Sequence, residues 1–327
     1  MAPARPLAAL LIALLPAAGL LPVPSRAAPP AGTTVLDPVQ VQAFVAHVQP
    51  AGDSCTVTDA VSGTDTDQST GPSVDVVATD TGEAQSPLPG DDVDLEGSAR
   101  ATVGSSLVGE VRTLTVRAAL DVAALPRTGA SACQVAVAGQ VATSAALELA
   151  VAGWVTLTAT ADGPAGVGIQ VDGDAHDLVL TLTSSASESR VRAFLEAGQY
   201  LVRTQASARS PEASGGGGRV ASTVMTTVRV VPPGRALAAA GGTKRIATLP
   251  AALDCDRSSA VVRLGRGVAG ARTAVLRAGG RTVRTVRGPK PGDVVTLRTL
   301  PVRAPLTLSV TARGRATSRS YEACAPV

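Results

Sequence analysis

Aromatic residues are scarce in this sequence, and their scarcity limits how it can recognise a ligand. The 327 residues contain one Trp, two Tyr and two Phe, so aliphatic side chains must fill any hydrophobic core. We expect Trp154 and Phe194 to be buried there. Recognition of glycans by stacked, exposed rings is therefore disfavoured, whereas recognition by polar loops is not.

Histidine is also scarce, which limits the catalytic chemistry. His47 lies in an alternating stretch and His176 in an Asp-rich turn, and neither has a recognisable nucleophile motif beside it. The cysteines are expected to be oxidised, so no thiol nucleophile is predicted. A carboxylate pair for glycoside cleavage stays open, because only its spacing in the fold would reveal it. We expect no catalytic residues and no enzymatic activity.

The N-terminal residues have the pattern of an export signal. Leu7 to Leu21 is an apolar run of fifteen residues behind Arg5, and Ser25-Arg26-Ala27 has small residues at the two positions that a signal peptidase reads. We predict a signal peptide over residues 1–27 with cleavage after Ala27. The run is short for a membrane span and no second one follows. The expected product is secreted, either extracellular or cell-wall associated, with no membrane span and no lipid anchor.

Four cysteines, all in the predicted mature chain, indicate disulfides in an exported protein. Cys55, Cys133, Cys255 and Cys324 allow three pairings. Nearest-neighbour pairing gives each half of the chain one disulfide, and we prefer it. No two cysteines have the short spacing of a zinc ligand set.

Apolar residues recur at every second position in several stretches, and helical periodicity is nearly absent. Examples are Val39, Val41, Ala43 and Val45, and later Leu306, Leu308, Val310 and Ala312. Such alternation between Gly-rich or Asp-rich turns is typical of antiparallel sheets packed face to face. The sequence therefore predicts an all-β fold with two antiparallel β-sandwich domains.

The clearest domain boundary is Pro232-Pro233-Gly234, because two successive prolines remove two backbone donors and end a strand. We predict a large sandwich over residues 33–232, a linker over 233–242 and a small, Arg-rich sandwich over 243–327. The alternative is a further division near Ala150, with Cys55 and Cys133 closing a separate N-terminal unit.

Two hairpins are predicted inside the large sandwich. Asp172-Gly173 favours a tight type I′ turn between Ile169–Val171 and Leu178–Leu180. Residues 190–195 are expected to turn at 196–198 and to return through 199–202.

A resemblance to secreted bacterial jelly-roll modules covers roughly residues 100–231. It depends on the aromatic strand Val151 to Thr158, followed by the apolar-x-x-Gly-x-Tyr pattern of Leu195 to Tyr200. The resemblance implies a jelly-roll β-sandwich and a tendency to bind glycans or other surfaces. It implies no particular ligand, because a fold does not fix a function.

The small domain resembles an immunoglobulin-like sandwich in its size and its long Cys-to-Cys spacing, but it lacks the buried Trp between the cysteines. Its last hairpin is predicted to turn through the three residues 313–315. That register would bring Cys324 to the inner face and leave Arg319 and Tyr321 facing out.

Two acidic segments are candidates for calcium binding. Asp172, Asp174 and Asp177 crowd one turn, and a second segment contains Asp91, Asp92, Asp94 and Glu96. Neither matches an EF-hand loop, and solvated turns explain both segments. We therefore expect no metal and no other cofactor.

Charge is strongly segregated along the chain. Residues 33–188 contain twenty acidic and four basic side chains, a net charge of −16, whereas residues 190–327 contain twenty-three basic and six acidic ones, a net charge of +17. Two independently solvated domains would explain this, as would docking of the two halves or binding of a polyanion by the basic half.

The hairpin around Gly279-Gly280 supplies the candidate anion-binding residues. Its expected register places Ala274, Leu276 and Val283 in the core and makes Arg277 and Arg284 diagonal neighbours on the outer face. Forked guanidinium donors suit phosphate or carboxylate.

Together these features predict a secreted, non-enzymatic binding or interaction protein whose small domain binds anionic cell-envelope polymers or a surface protein. We expect no nucleic-acid partner. The alternatives are a carbohydrate-active enzyme using carboxylates of the large domain and a purely structural envelope protein.

Overall fold

The computed structural model describes residues 34–69, 73–108, 111–129, 131–173, 177–182, 188–243 and 245–326. The predicted signal peptide, Asp174 and His176 lie outside these residues. Two single-turn 3-10 helices, Ala213–Gly215 and Arg266–Val268, accompany the strands. The strands are β1 (Thr34–Val48), β2 (Thr56–Asp59), β3 (Ser62–Ser69), β4 (Ser73–Gln85), β5 (Val93–Val108), β6 (Val111–Pro126), β7 (Ala136–Leu149), β8 (Gly153–Asp162), β9 (Gly166–Gly173), β10 (Leu178–Leu182), β11 (Glu188–Leu195), β12 (Gly198–Arg209), β13 (Gly218–Val231), β14 (Gly241–Gly242), β15 (Ala247–Thr248), β16 (Ala260–Leu264), β17 (Thr273–Ala278), β18 (Arg281–Arg287), β19 (Val294–Leu297), β20 (Leu306–Ala312) and β21 (Arg315–Tyr321).

Alternating burial explains why these segments form strands. In β4, Val74, Val76 and Ala78 are buried while Asp75 and Val77 between them are exposed, as expected where successive side chains point to opposite faces. The strands pair in antiparallel fashion within four sheets. The predicted all-β sandwich fold is confirmed.

Two large sheets pack against each other over residues 34–231. The first has the strand order β10-β9-β12-β7-β1-β3, and the second has the order β11-β8-β13-β6-β5-β4-β2. The eight strands β6 to β13 have the order of a jelly roll, with β11-β8-β13-β6 facing β10-β9-β12-β7, and consecutive strands change sheets except at the hairpin of β9 and β10. The remaining strands extend both sheets beside β6 and β7. The jelly-roll prediction is therefore confirmed.

The core between these sheets is built from small aliphatic side chains. Val, Leu and Ala dominate it, and Tyr200 is its single aromatic residue among those described. Glycine allows close approach at two points: a Cβ at Gly97 would lie 3.0 Å from Val45, and one at Gly139 would lie 3.0 Å from Val122. Small side chains thus replace the aromatic packing that the sequence cannot supply.

Two smaller sheets follow, with a separate core. One has the strand order β14-β21-β20-β17-β18 and the other the order β15-β16-β19. Their core contains Ile246, Val262, Leu276, Leu308 and the fully buried Tyr321. The predicted linker also contacts this sandwich, because Ala236 bridges to Tyr321 and Gly241 pairs with Ser318. Because residues 31–327 form one compact unit, the domain limits stay a prediction.

The disulfides join Cys55 to Cys133 and Cys255 to Cys324, with Cα–Cα distances of 5.5 and 5.4 Å. This is the nearest-neighbour pairing, so each bond lies within one sandwich. Strands on both sides of Ala150 share a sheet, since β7 pairs with both β1 and β12.

Of the two hairpins predicted in the large sandwich, the first has the predicted strand pairing, with Val171 opposite Leu178 and Ile169 opposite Leu180, but not the predicted turn, and the second is wrong. Asp172 and Gly173 remain in β9, and pairing with β10 begins at Val171 and Leu178, so the connection is longer than two residues. The residues after Leu195 cross between sheets, because β11 pairs with β8 whereas β12 pairs with β7 and β9.

The last hairpin also differs from its prediction. Ala312 pairs with Arg315, and Arg313 and Gly314 form a two-residue turn in which both have positive φ. Tyr321 therefore faces the core, where its hydroxyl donates to the Pro250 carbonyl at 2.9 Å. The prediction fails because β21 ends at Tyr321, so its alternation does not extend to Cys324.

Candidate functional site

The two sandwiches carry opposite net charges. Residues 33–232 contain twenty-two acidic and ten basic side chains, a net charge of −12, and residues 243–327 contain sixteen basic and four acidic ones, a net charge of +12. Six arginines from the basic half of the sequence thus belong to the acidic sandwich.

Arginines of the large sandwich are largely neutralised by carboxylates. Arg100 donates to Asp75 at 2.6 Å, and Arg127 lies within 3.4 Å of three acidic side chains. The hydrogen bond from Arg100 lowers the pKa of the Asp75 carboxyl. Arg203 and Arg209 also form ion pairs. These guanidinium groups are engaged within the fold.

The small sandwich presents the opposite situation. Of the fourteen arginines in residues 245–326, Arg257 alone forms an ion pair within the part of the chain that the structure describes, with Asp254. Arg313 and Arg319 donate to backbone carbonyls. Apart from Arg257, its arginines therefore form an excess of positive charge that no described carboxylate neutralises through an ion pair.

The hairpin of β17 and β18 carries the two predicted site residues. Gly279 and Gly280 have φ values of 55° and 81°, and Ala278 pairs with Arg281 across them. The predicted two-residue turn is confirmed. Arg277 pairs with Thr282 and is exposed, as expected for the outer face.

Beyond that pair the predicted register is wrong, because β18 contains a β-bulge at Val283. The pairing moves from Arg277 with Thr282 directly to Leu276 with Arg284, which leaves Val283 extra. Val283 is 40% exposed instead of buried, and Val286 packs against the core instead of facing out.

The bulge also separates the two candidate arginines. Directly opposed residues share a face, so Arg284 lies on the same side of the sheet as the buried Leu276, and Arg277 lies on the other. Arg284 is nevertheless exposed, because β18 is the terminal strand of its sheet. The two residues are not outward-facing neighbours, and their role in anion binding stays a prediction.

Arg284 instead lines a groove between the two sheets of the small sandwich. The groove encloses about 670 Å³ and lies between β18 and β19. Its lining residues include Val283, Arg284 and Val286 from one side and Asp293, Val294 and Arg298 from the other. Within the described residues β18 pairs with β17 alone and β19 with β16 alone, so the groove lies between two terminal strands.

Sequence reasoning missed Arg298 as a groove residue. Its position depends on β19 lying beside the edge of the other sheet, and no local pattern reports that arrangement. The outer face of the same sheet also carries both charged and apolar side chains. Arg263 pairs with Val294 there, and the 54% exposed Val261 pairs with Thr296.

One carboxylate lines the groove. Asp293 is partly buried, and its Oδ2 accepts a hydrogen bond from the Lys290 amide at 2.8 Å. It therefore holds the turn between β18 and β19, and its negative charge opposes the arginines of the groove.

The acidic candidates for metal binding are occupied by internal contacts. Asp172 accepts from Arg203 at 3.0 Å, Asp177 accepts from the Gly173 amide at 3.4 Å, and Asp174 lies outside the described residues. Residues 34–326, without their undescribed gaps, contain no group of three or more His, Cys, Asp or Glu side chains arranged to hold a metal ion.

In the second acidic segment Asp91 is a buried structural residue. Its carboxylate accepts from the Ala132 amide at 2.8 Å and from the hydroxyls of Ser86 and Thr128. The backbone hydrogen bond from Ala132 is the main cause of the lowered pKa of this carboxyl. The network lies beside Cys133 and joins the start of β5 to the segment before β7.

A second depression, of about 410 Å³, lies on the outer face of the large sandwich and contains Glu96 and Asp121. Arg219 lies between them, in contact with Glu96 and 3.2 Å from Asp121. Both carboxylates are thus engaged by one guanidinium. His47 lies apart from this depression, with its Nδ1 3.3 Å from the Val61 carbonyl.

The two aromatic residues expected in the core lie elsewhere. Trp154 and Phe194 are half-buried on the edge of the large sandwich, 5.1 Å apart and edge to face. The Trp154 indole donates to the Ala323 carbonyl at 2.7 Å, and the Arg192 guanidinium lies 4.1 Å from its ring centroid. Arg192 also pairs with Glu322. These rings therefore hold the C-terminal segment.

Comparisons with known proteins reveal only distant likeness. No protein-family model matches the sequence, and no curated protein matches it. The adhesin domain of Epf from Streptococcus pyogenes is 10% identical, with a TM-score of 0.19 over 87% of this chain and 92% of that domain. A polysaccharide lyase is 9% identical, with a TM-score of 0.17 over 88% of this chain and 40% of the lyase. At these TM-scores neither likeness carries an argument about function.

The described residues include no helix with the length and hydrophobicity that a bilayer span requires.

Proposed function

We propose that this protein is a secreted, non-enzymatic binding protein whose small sandwich binds anionic cell-envelope polymers. The observation that supports this most directly is the contrast between the two sets of arginines. Those of the large sandwich are mostly paired with carboxylates, whereas Arg277, Arg284 and Arg298 have no ion-pair partner among the described residues.

The chemistry of arginine suits this role. A guanidinium presents a rigid fork of donors that matches the oxygens of phosphate and carboxylate, and it remains charged at every physiological pH. With a net charge of +12 on one sandwich, the surface also attracts a polyanion over a distance that depends on ionic strength. The acidic large sandwich would remain turned away from the same polymer.

The test uses the full mature chain and two purified cell-wall fractions, one anionic and one chemically stripped of its anionic polymer. We expect binding to the anionic fraction alone, with an affinity that falls steeply between about 50 and 500 mM salt, because exposed charges are screened within about 8 Å at physiological ionic strength. Equal binding to both fractions, or binding that ignores salt, would refute the proposal.

Absence of catalysis belongs to the same proposal. Glu96 and Asp121, two carboxylates that line the same depression, are both held by Arg219. Both carboxylates are thus engaged by an internal cation instead of facing each other across an open cleft. Turnover of a glycan substrate that disappears in Glu96→Gln or Asp121→Asn would favour the carbohydrate-active alternative.

A further inference from the structure

We propose that the polymer binds in the groove between β18 and β19, with its phosphodiester groups between Arg284 and Arg298. This inference rests on the proposed function and names the polymer class and the residues that contact it. Arg284 lies on one wall of the groove and Arg298 on the other.

Both arginines are available to a ligand. Each is exposed, and the guanidinium group of neither forms a hydrogen bond or ion pair with another described residue. The β-bulge at Val283 turns Arg284 towards the groove and away from the outer face that holds Arg277. A regular strand would have placed the two arginines together, so the bulge determines which surface has opposed guanidinium groups.

The opposed arrangement favours phosphate over carboxylate. A phosphodiester is tetrahedral and shares its single negative charge between two non-bridging oxygens, so guanidinium groups on opposite walls can donate to it from both sides. A carboxylate is planar and pairs best with a single fork, both of its oxygens facing the same way. Two facing forks therefore suit a phosphodiester better than a carboxylate.

The walls of the groove also fit a linear polymer. Val283 and Val294 are 40% and 56% exposed and border the groove together with the partly buried Val286. Apolar walls with charged groups on either side would contact the carbon backbone of a polyol or sugar phosphate, while the arginines bind its phosphates.

Asp293 provides an internal check on the inference. Its carboxylate lines the same groove and repels an anion there, while its hydrogen bond with the Lys290 amide holds the turn. Asparagine in its place keeps an oxygen acceptor for that amide and removes the charge. Asp293→Asn should therefore strengthen binding of the polymer. If the polymer instead bound diffusely over the whole basic surface, removal of this one carboxylate would change its affinity much less.

The experiment measures binding of the full mature chain to inorganic polyphosphate and to polyglutamate of similar length. The groove variant Arg284→Gln/Arg298→Gln is compared with the control Arg303→Gln/Arg315→Gln, which removes the same charge from exposed positions outside the groove. We expect about a tenfold or greater loss of polyphosphate affinity in the groove variant and less than about threefold in the control, because charge-assisted hydrogen bonds are lost only in the first. Asp293→Asn should bind about threefold more tightly, and unchanged thermal unfolding would show that each variant is folded.

The outcomes separate this inference from the proposed function. Equal losses in the groove and control variants would overturn the groove and leave a diffuse polyanion-binding surface. Equal affinity for polyglutamate and polyphosphate would overturn the preference for phosphate. Failure of the wild-type chain to bind either polyanion at low salt would refute the proposed function itself.

Discussion

The contact of Trp154, Arg192 and Glu322 makes a quantitative prediction about how the C-terminal segment is held. Replacing Glu322 with Gln preserves the shape of the side chain and removes its charge. Arg192 then remains over the Trp154 ring without its carboxylate, in a position where its side chain is 28% exposed and that of Glu322 only 9%.

The expected cost follows from that burial. Breaking a fully buried ion pair costs about 3–5 kcal/mol, and an exposed pair contributes about 0–1 kcal/mol. Arg192 has partial access to water and keeps its contact with the indole ring, which contributes about 0.5–2 kcal/mol. We therefore expect Glu322→Gln to lower the free energy of unfolding by about 2 kcal/mol.

Trp154 supplies the assay, because it is the single tryptophan of the chain. Urea unfolding followed by its fluorescence reports on this contact, and circular dichroism reports on the strands. A double-mutant cycle with Arg192→Met isolates the pair, with an expected coupling of about 1–2 kcal/mol. Additive effects within about 0.3 kcal/mol would show that the pair contributes nothing, and the argument from burial would fail.

Three further predictions concern the disulfides, the acid side of the stability curve and catalysis. Replacing Cys255 and Cys324 with Ala should destabilise the small sandwich by up to about 4 kcal/mol in the chain-entropy model, given their separation of 69 residues; a change in urea midpoint below a quarter of that value would contradict it. The pKa of Asp91 is lowered in the folded state, so its ionised carboxylate stabilises the fold above the usual pKa of a carboxyl. That contribution to the free energy of unfolding is lost as the pH falls through the lowered pKa. Asp91→Asn should thus be less stable than wild type at pH 7 and should lose less further stability between about pH 5 and 2 in parallel thermal scans. Esterase, peptidase and glycosidase substrates should give no turnover, and His47→Gln and His176→Gln should leave every measured property of binding unchanged; turnover abolished by either change would indicate an enzyme.

Local alternation was sufficient to predict several strands and the sandwich class. A period of two over residues such as Leu306, Leu308 and Val310 depends only on neighbouring residues, and these three are buried as expected. The aromatic strand around Trp154 and the Tyr200 pattern also indicated the jelly roll, whose order the strands adopt. These features are legible because each is encoded within one or two adjacent strands.

Features that depend on distant partners were not predictable. The contact between Trp154 and Ala323 joins residues 169 positions apart, so nothing near Trp154 indicates that the C-terminal segment covers it. The crossing between sheets after Leu195 has the same sequence signature as a hairpin turn, because Gly198 suits both. Sequence alone does not say which sheet the next strand joins.

The β-bulge at Val283 is an intermediate case. The sequence of β18 repeats Arg-Thr-Val with a period of three, which a regular strand cannot match, since Val283 and Val286 would point to opposite faces. The structure resolves the conflict by inserting Val283 as the extra residue and burying part of Val286. A period of three was therefore a local signal for the bulge, and with it for the direction of Arg284.

Solubility alone does not explain the charge of the small sandwich. Arginines on a terminal strand such as β18 do protect its edge from pairing with another chain, and Arg281, Arg284 and Arg287 serve that purpose. However, a surface in which positive and negative side chains are interspersed protects a strand edge and keeps the protein in solution equally well. The paired charges of the large sandwich illustrate such a surface. What requires a further cause is the near absence of acidic partners, with four carboxylates against sixteen cations over residues 243–327. A binding surface for a polyanion needs that absence, because every internal partner would compete with the ligand for the same guanidinium.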